Sequence, residues 1–198
     1  VQKKLKQKSM DSKINQFVHF IRKWEGGLSR NSNDSASSHP CPTPFNGHTG
    51  WHTNAGITYQ SWSHVFNHDH DDRFFSMNSE DWFKVFKGSY WDGVKADKIA
   101  DITVAIFLTE IAWGSGPLQA IKTAQKCVNE LSDDISVDGV MGPKTIAAIN
   151  SIDPKKFLNQ LFIDREIFFR AISKGKNSVF LKGWLNRLRD FKNTFYEV

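Results

Sequence analysis

The chain is poor in cysteine, has no long apolar run and offers few segments with strand character, and each shortage narrows what it can be. Two Cys in 198 residues cannot build a disulfide framework. Cys41 lies in a proline-containing loop and Cys127 on an apolar helical face, so both read as free thiols. No apolar run approaches the ~20 residues that a membrane-spanning helix needs, so no transmembrane segment is expected. Residues 1–10 carry four Lys but lack the apolar stretch of a signal peptide. Scarce strand signals argue against a sandwich or barrel and leave an all-α, or mainly α, fold with a small β loop.

What is present is an ordinary globular composition with an unusual share of rings. Apolar residues at 39% and charged residues at 24% exclude wholesale disorder. Sixteen Phe and seven Trp belong mostly to the core, since rings bury large areas. The net charge is +5, and from residue 144 onward eleven Lys and Arg face five Asp and Glu. A basic surface implies an anionic partner, whether nucleic acid, an acidic envelope polymer or a membrane face. No helix-turn-helix, zinc finger or other nucleic-acid reader is recognisable, so no nucleic acid is expected.

Along the chain, Ile14, Phe17, Val18, Ile21 and Trp24 follow the spacing of one buried helical face over 11–25. Asp11 or Ser12 is the expected cap, and Gly26-Gly27 end the helix. Residues 28–58 are rich in Ser, Asn, Pro, Gly and His, and read as a long loop or irregular hairpin of the kind that carries function. Helices are then expected at 79–88, at 97–113 (apolar nearly all round, hence central) and at 117–131, opened by Pro117. Gly142-Pro143 opens a short helix through Ile149, Asp153-Pro154 opens a long one, and a last helix covers 178–195. The two halves, 10–116 and 117–198, are expected to pack together.

Chemistry concentrates in the first half. Trp24-Glu25-Gly26-Gly27 puts a carboxylate at a helix C-terminus, where the helix dipole does not favour it. Asp34 follows nine residues later, and then Thr53-Asn54-Ala55-Gly56-Ile57-Thr58. Hydrolysing a glycosidic bond needs a proton donor for the leaving oxygen, usually a carboxylic acid, and a second group that orders water or stabilises developing charge. A Glu facing a loop with one Asp and several hydroxyls supplies these types. By itself the Glu-Gly-Gly terminus reads first as a plain C-cap with an exposed carboxylate.

Taken in order, Glu25-Gly-Gly, Asp34, Thr53-Asn-x-Gly-Ile-Thr and Tyr90-Trp91 resemble the glycoside hydrolase family 108 muramidases. These lysozyme-like enzymes are common in prophages as endolysins, and some carry the label secretion activator. Val137-Asp138-Gly139-Val140-Met141-Gly142-Pro143-Lys144-Thr145, with Gly183-Trp184 and Arg187, resembles their C-terminal peptidoglycan-binding region. The resemblance implies a lysozyme-like catalytic domain over 10–116, with a long active-site loop, and a helical peptidoglycan-binding region over 117–198. It implies an N-acetylmuramidase that cleaves between N-acetylmuramic acid and N-acetylglucosamine by general acid catalysis. The partner would be peptidoglycan glycan strands, and the place of action the bacterial cell wall or periplasm after synthesis in the cytoplasm, by a removed leader or another route.

Residue by residue, the resemblance makes Glu25 the catalytic acid, Asp34 its electrostatic or water-orienting partner and Thr53 the holder of the water. Trp51, Asn54, Tyr90, Trp91 and Trp113 are the candidate sugar-binding residues. The chain departs from the family in two places. An insertion through Ser35–Trp51 replaces a short segment, so His48 falls in the Asp slot when counted back from Thr53. The family's Asp-x-Ala-Val-Asn-x-Gly becomes Glu110-Ile-Ala-Trp-Gly-Ser-Gly116, which puts Gly114 where an Asn stands. The partner of Glu25 is therefore open among Asp34, His48 and Glu110. His64 and His68 stand four apart, as do His48 and His52, a zinc-binding spacing; the surroundings are strongly hydrophilic, and no metal or other cofactor is expected. The rival reading is a non-catalytic wall-binding or secretion-accessory protein on the same scaffold. A glycosidase of another N-acetylglucosamine polymer is the third.

Overall fold

The computed structural model describes residues 2–132 and 134–196. Their secondary structure is overwhelmingly helical: α1 (Gln2–Trp24), α2 (Tyr59–Phe66), α3 (Ser79–Val85), α4 (Ile102–Ser115), α5 (Pro117–Leu131), α6 (Pro143–Ser151), α7 (Pro154–Ile172) and α8 (Leu181–Phe195). The one sheet among the described residues is a hairpin of β1 (Thr53–Asn54) and β2 (Ile57–Thr58), antiparallel, with Thr53 opposite Thr58 and Asn54 opposite Ile57. No described helix is long and apolar enough to cross a membrane.

Several boundaries differ from the sequence reading. α1 runs straight through Asp11 and Ser12 to Gln2, because residues 2–10 are mostly Gln, Lys, Leu and Met, all good helix formers with nothing to stop them. The helix expected at 97–113 starts five residues later, since Asp101 turns out to be its cap, accepting from Thr103 N at 2.8 Å and Val104 N at 3.0 Å. The helix at 79–88 loosens after Val85 into a π-helical turn over Phe86–Trp91. α2 begins directly after the segment read as a loop, in a stretch where no helix is expected. Its cap is Thr58, whose side chain accepts from Ser61 N. The last helix begins at Leu181, after a 3-10 turn over Gly175–Phe180.

The chain forms two compact units, one of residues 18–93 and one of residues 1–17 with 94–198. α4 packs chiefly on α5. In the larger unit, Ile106, Phe107, Leu108, Ile111 and Ala112 of α4 are fully buried, as expected of a central helix. Phe107 stacks on Phe162 of α7 at 4.3 Å and on Phe191 of α8 at 4.8 Å, and Phe17 meets Phe191 edge-on. Asp153 caps α7 through Lys156 N at 3.0 Å.

The Asp138–Thr145 motif has a mechanical job in this unit. Buried Gln125 donates to Asp138 Oδ1 at 2.8 Å and to Val140 O at 3.2 Å, and accepts from Gly139 N at 2.8 Å. Asp138 Oδ1 also accepts from Val140 N at 2.8 Å. These hydrogen bonds hold its carboxyl below the ordinary aspartate pKa of 3.8.

The smaller unit has an aromatic core. Trp62 of α2 and Tyr59 meet Phe74 edge-on, and Trp82 of α3 stacks on Phe86. The end of α1 is fastened to α3, with the Arg22 guanidinium over the Trp82 ring at 5.3 Å and donating to Ser79 Oγ at 3.3 Å. Buried Asp81 is ion-paired with Arg73. The stretch from Ser35 to Trp51 is tied internally, with Cys41 N donating to Trp51 O at 2.7 Å and Trp51 Nε1 to Phe45 O at 3.2 Å. Cys41 and Cys127 are both free and buried.

Candidate active site

Glu25 is the first residue beyond α1, half-buried, and its carboxyl lies on the turn of the β1–β2 hairpin. A Cβ built on Gly56 would stand 2.5 Å from Glu25 Oε2 and 2.6 Å from its Cδ, closer than real side chains approach. Only glycine allows the carboxyl to seat there. Ala55 and Gly56 both have positive φ, 47° and 78°, as a two-residue hairpin turn of this hand requires. Ala55 is strained in that conformation, and Trp82 Nε1 holds its carbonyl at 3.0 Å.

Hydroxyls gather beside this seat. Thr58 Oγ1 donates to Ser61 Oγ at 3.0 Å, and Ser61 Oγ is 2.9 Å from Tyr90 OH. Burial raises the Tyr90 phenol above its ordinary pKa of 10, the hydrogen bond from Ser61 opposes this, and the charge of Glu25 raises it further. The phenol is thus neutral and within electrostatic reach of Glu25. The π-helical turn is what delivers it, by letting the chain bulge after Phe86.

Thr53 faces the same side of the hairpin as its cross-strand partner Thr58. Its Oγ1 is 2.9 Å from His52 Nδ1. His52 is fully buried, and its Nε2 meets Asn31 O at 3.1 Å. The backbone here is pinned from both directions. Ser29 N donates to Thr53 O at 2.8 Å, His52 N to Ser29 O at 3.0 Å and Tyr59 N to His52 O at 2.8 Å.

The other expected residues are spread more widely. Asp34 is exposed, and its carboxylate accepts from Ala36 N at 2.9 Å, capping a 3-10 turn over Ser35–Ser38. His48 is exposed at the tip of the Phe45–His48 turn. Asn54 donates its amide to Phe74 O at 2.7 Å, which fixes the hairpin. Trp51 is half-buried, with the Arg30 guanidinium 5.4 Å above its ring. Tyr90 and Trp91, expected to stack on sugars, are only 6% and 4% exposed; their rings are occupied in packing. Trp113 is half-buried on α4, outside the unit that holds Glu25. Glu110 is bound bidentately by Arg187, at 2.5 and 3.0 Å.

With this geometry in view, comparison with known proteins becomes decisive. The sequence model of the glycosyl hydrolase 108 family matches residues 18–116. The chain belongs to that family. It is a glycoside hydrolase, and a second model, described as a predicted peptidoglycan domain, matches residues 119–189. A solved structure, that of Brucella abortus SagA, is similar in fold, with a TM-score of 0.71 and 23% identity over 92% of this chain and 93% of that one. No curated protein matches.

Within this glycosyl hydrolase 108 chain, three contributors escaped the sequence reading. Gly56, His52 and Ser61 all act through tertiary neighbours, and only the positive φ of a Gly in a short hairpin was open to inference. Gly114 also finds a reason. A Cβ there would lie 3.0 Å from Arg165 Nη2. Arg165 is buried, donates to Ser115 Oγ at 2.9 Å and stacks over Phe169. Burial lowers its pKa to about 10, against the raising effect of Glu110.

Proposed function

We propose that this hydrolase is an N-acetylmuramidase, cutting the glycosidic bond between N-acetylmuramic acid and N-acetylglucosamine with Glu25 as general acid. The observation that carries the proposal is the seating of the Glu25 carboxyl on the glycine turn, beside a line of hydroxyls. Glu25 donates its proton to the glycosidic oxygen as that bond breaks. A water held by Thr53 attacks the anomeric carbon from the opposite side, and the proton it sheds on bonding leaves to solvent, from which Glu25 is reprotonated. Attack by water, with no covalent glycosyl-enzyme, inverts the configuration. No nucleophilic carboxylate is needed in this scheme, and Asp34, exposed with one carboxylate oxygen capping a turn, keeps the part of electrostatic or water-orienting partner.

Trp51, flanked by Arg30, is the sugar-stacking ring we favour. Residues 10–116 would act as the catalytic part and 117–198 as the part that holds the wall, in keeping with where the two family models divide. The protein would act at the bacterial cell wall. The test is release of reducing ends from purified peptidoglycan, with mass analysis of the new ends, for wild type and Glu25→Gln. The expected result is N-acetylmuramic acid at the reducing end and a loss of at least ~100-fold in Glu25→Gln. N-acetylglucosamine reducing ends would overturn the bond assignment. Undiminished activity in Glu25→Gln would overturn the acid. Pelleting with the wall without any cleavage would favour the wall-binding rival.

A further inference from the structure

We propose that His52 is a positioning residue for the hydrolytic water: it fixes the direction of the Thr53 hydroxyl so that Thr53 shows that water acceptors only. The inference rests on Thr53 holding the water, and deepens that reading.

Asn31 O can only accept, so the 3.1 Å contact with His52 Nε2 requires that nitrogen to carry the hydrogen. In a neutral imidazole Nδ1 is then a bare lone pair. Its 2.9 Å neighbour, Thr53 Oγ1, must be the donor. The Thr53 rotor is thereby locked, with its hydrogen on His52 and its lone pairs turned elsewhere. A water at those lone pairs is obliged to donate to Thr53, which leaves its own lone pair for an electrophile. An unlocked hydroxyl would donate to the water for part of the time and occupy the electrons that must attack. Donation to His52 also strengthens Thr53 as an acceptor, through polarisation along the chain.

Placement supports the assignment. His52 is fully buried, and main-chain bonds from Ser29 and Tyr59 hold residues 52 and 53 on both sides. Thr53 shares its face of the hairpin with Thr58, the start of the hydroxyl line that ends at Tyr90, which feels the charge of Glu25.

Two substitutions separate positioning from plain scaffolding. His52→Gln reaches as far as Nε2 and keeps a donor for Asn31 O, but has nothing at the level of Nδ1. His52→Asn puts a carbonyl oxygen near Nδ1 and keeps the acceptor for Thr53, but loses the tie to Asn31. On peptidoglycan, His52→Gln should lower kcat about tenfold with KM little changed, one hydrogen bond's worth. His52→Asn should keep most of kcat. If His52→Gln retains kcat, the proposal is overturned, and His52 is no more than a loop tie.

Thr53→Val is the control for the underlying reading. Wild-type kcat in Thr53→Val removes the water-holding role itself, whatever His52 does. A loss in Thr53→Val without one in His52→Gln removes only the role of His52. Where both His52 variants unfold or both lose activity, the wild type decides: 15N spectra of histidine-labelled protein should show residue 52 as the Nε2–H tautomer. The Nδ1–H tautomer would refute the proposal.

Discussion

Replacing Gly56 by alanine tests the seat of the proposed catalytic carboxyl directly. The new Cβ would stand 2.5 Å from Glu25 Oε2 and 2.6 Å from Cδ and Cγ, about 1 Å inside ordinary contact. The carboxyl, at the flexible end of its side chain, must move by roughly that distance. A 1 Å misplacement of a reacting group lowers rate by about 100-fold. Separately, alanine at a φ of +78° is strained by about 1–2 kcal/mol. At this chain length that corresponds to a Tm lower by roughly 2–4 °C per kcal/mol. Gly47→Ala provides the control, since Gly47 has a φ of +74° with nothing within 4 Å of its Cβ. It should show a comparable loss of Tm and full activity. The assays are reducing-end release from peptidoglycan and thermal melting by circular dichroism. Gly56→Ala with activity within threefold of wild type, at the expected loss of Tm, would mean that catalysis does not use Glu25 in this seat.

Two further outcomes concern the peptidoglycan-domain segment. Gln125→Leu should destabilise it by about 2–4 kcal/mol, because Gly139 N and the Asp138 carboxylate lose buried partners; chemical denaturation followed by Trp fluorescence measures this. Asp138 has a depressed pKa in the folded state, so its contribution to stability is complete above the ordinary value of 3.8 and is lost as pH falls through the folded value. The Tm advantage of wild type over Asp138→Asn should accordingly shrink on acidification below 3.8, and an advantage that grows instead would contradict the assignment.

How much was legible beforehand depends on the range of each interaction. The central helix α4, the Pro117 start of α5 and the Asp153 cap of α7 follow from periodicity and capping within a few residues. α2 is hard to read from the sequence because its apolar positions are few and its cap, Thr58, closes a stretch with loop composition. Tyr90 and Trp91 were natural candidates for sugar stacking, yet the π-helical turn folds both rings inward. Spacing along a chain does not reveal which face of an aromatic ring finds solvent.

By itself the sequence determined the helical class, a glutamate at the end of α1, the free cysteines and the family resemblance, since each is written in local pattern or in the order of short motifs. The tertiary structure alone decided what surrounds the acid. It brought the turn of a hairpin thirty-one residues later under Glu25, and it set one oxygen of the Asp34 carboxylate on the cap of a turn. It also set a buried imidazole behind Thr53. Helix formation and capping are settled among neighbours in the chain, whereas the direction of a hydroxyl or the clearance above a glycine is settled by groups that meet only when the core closes.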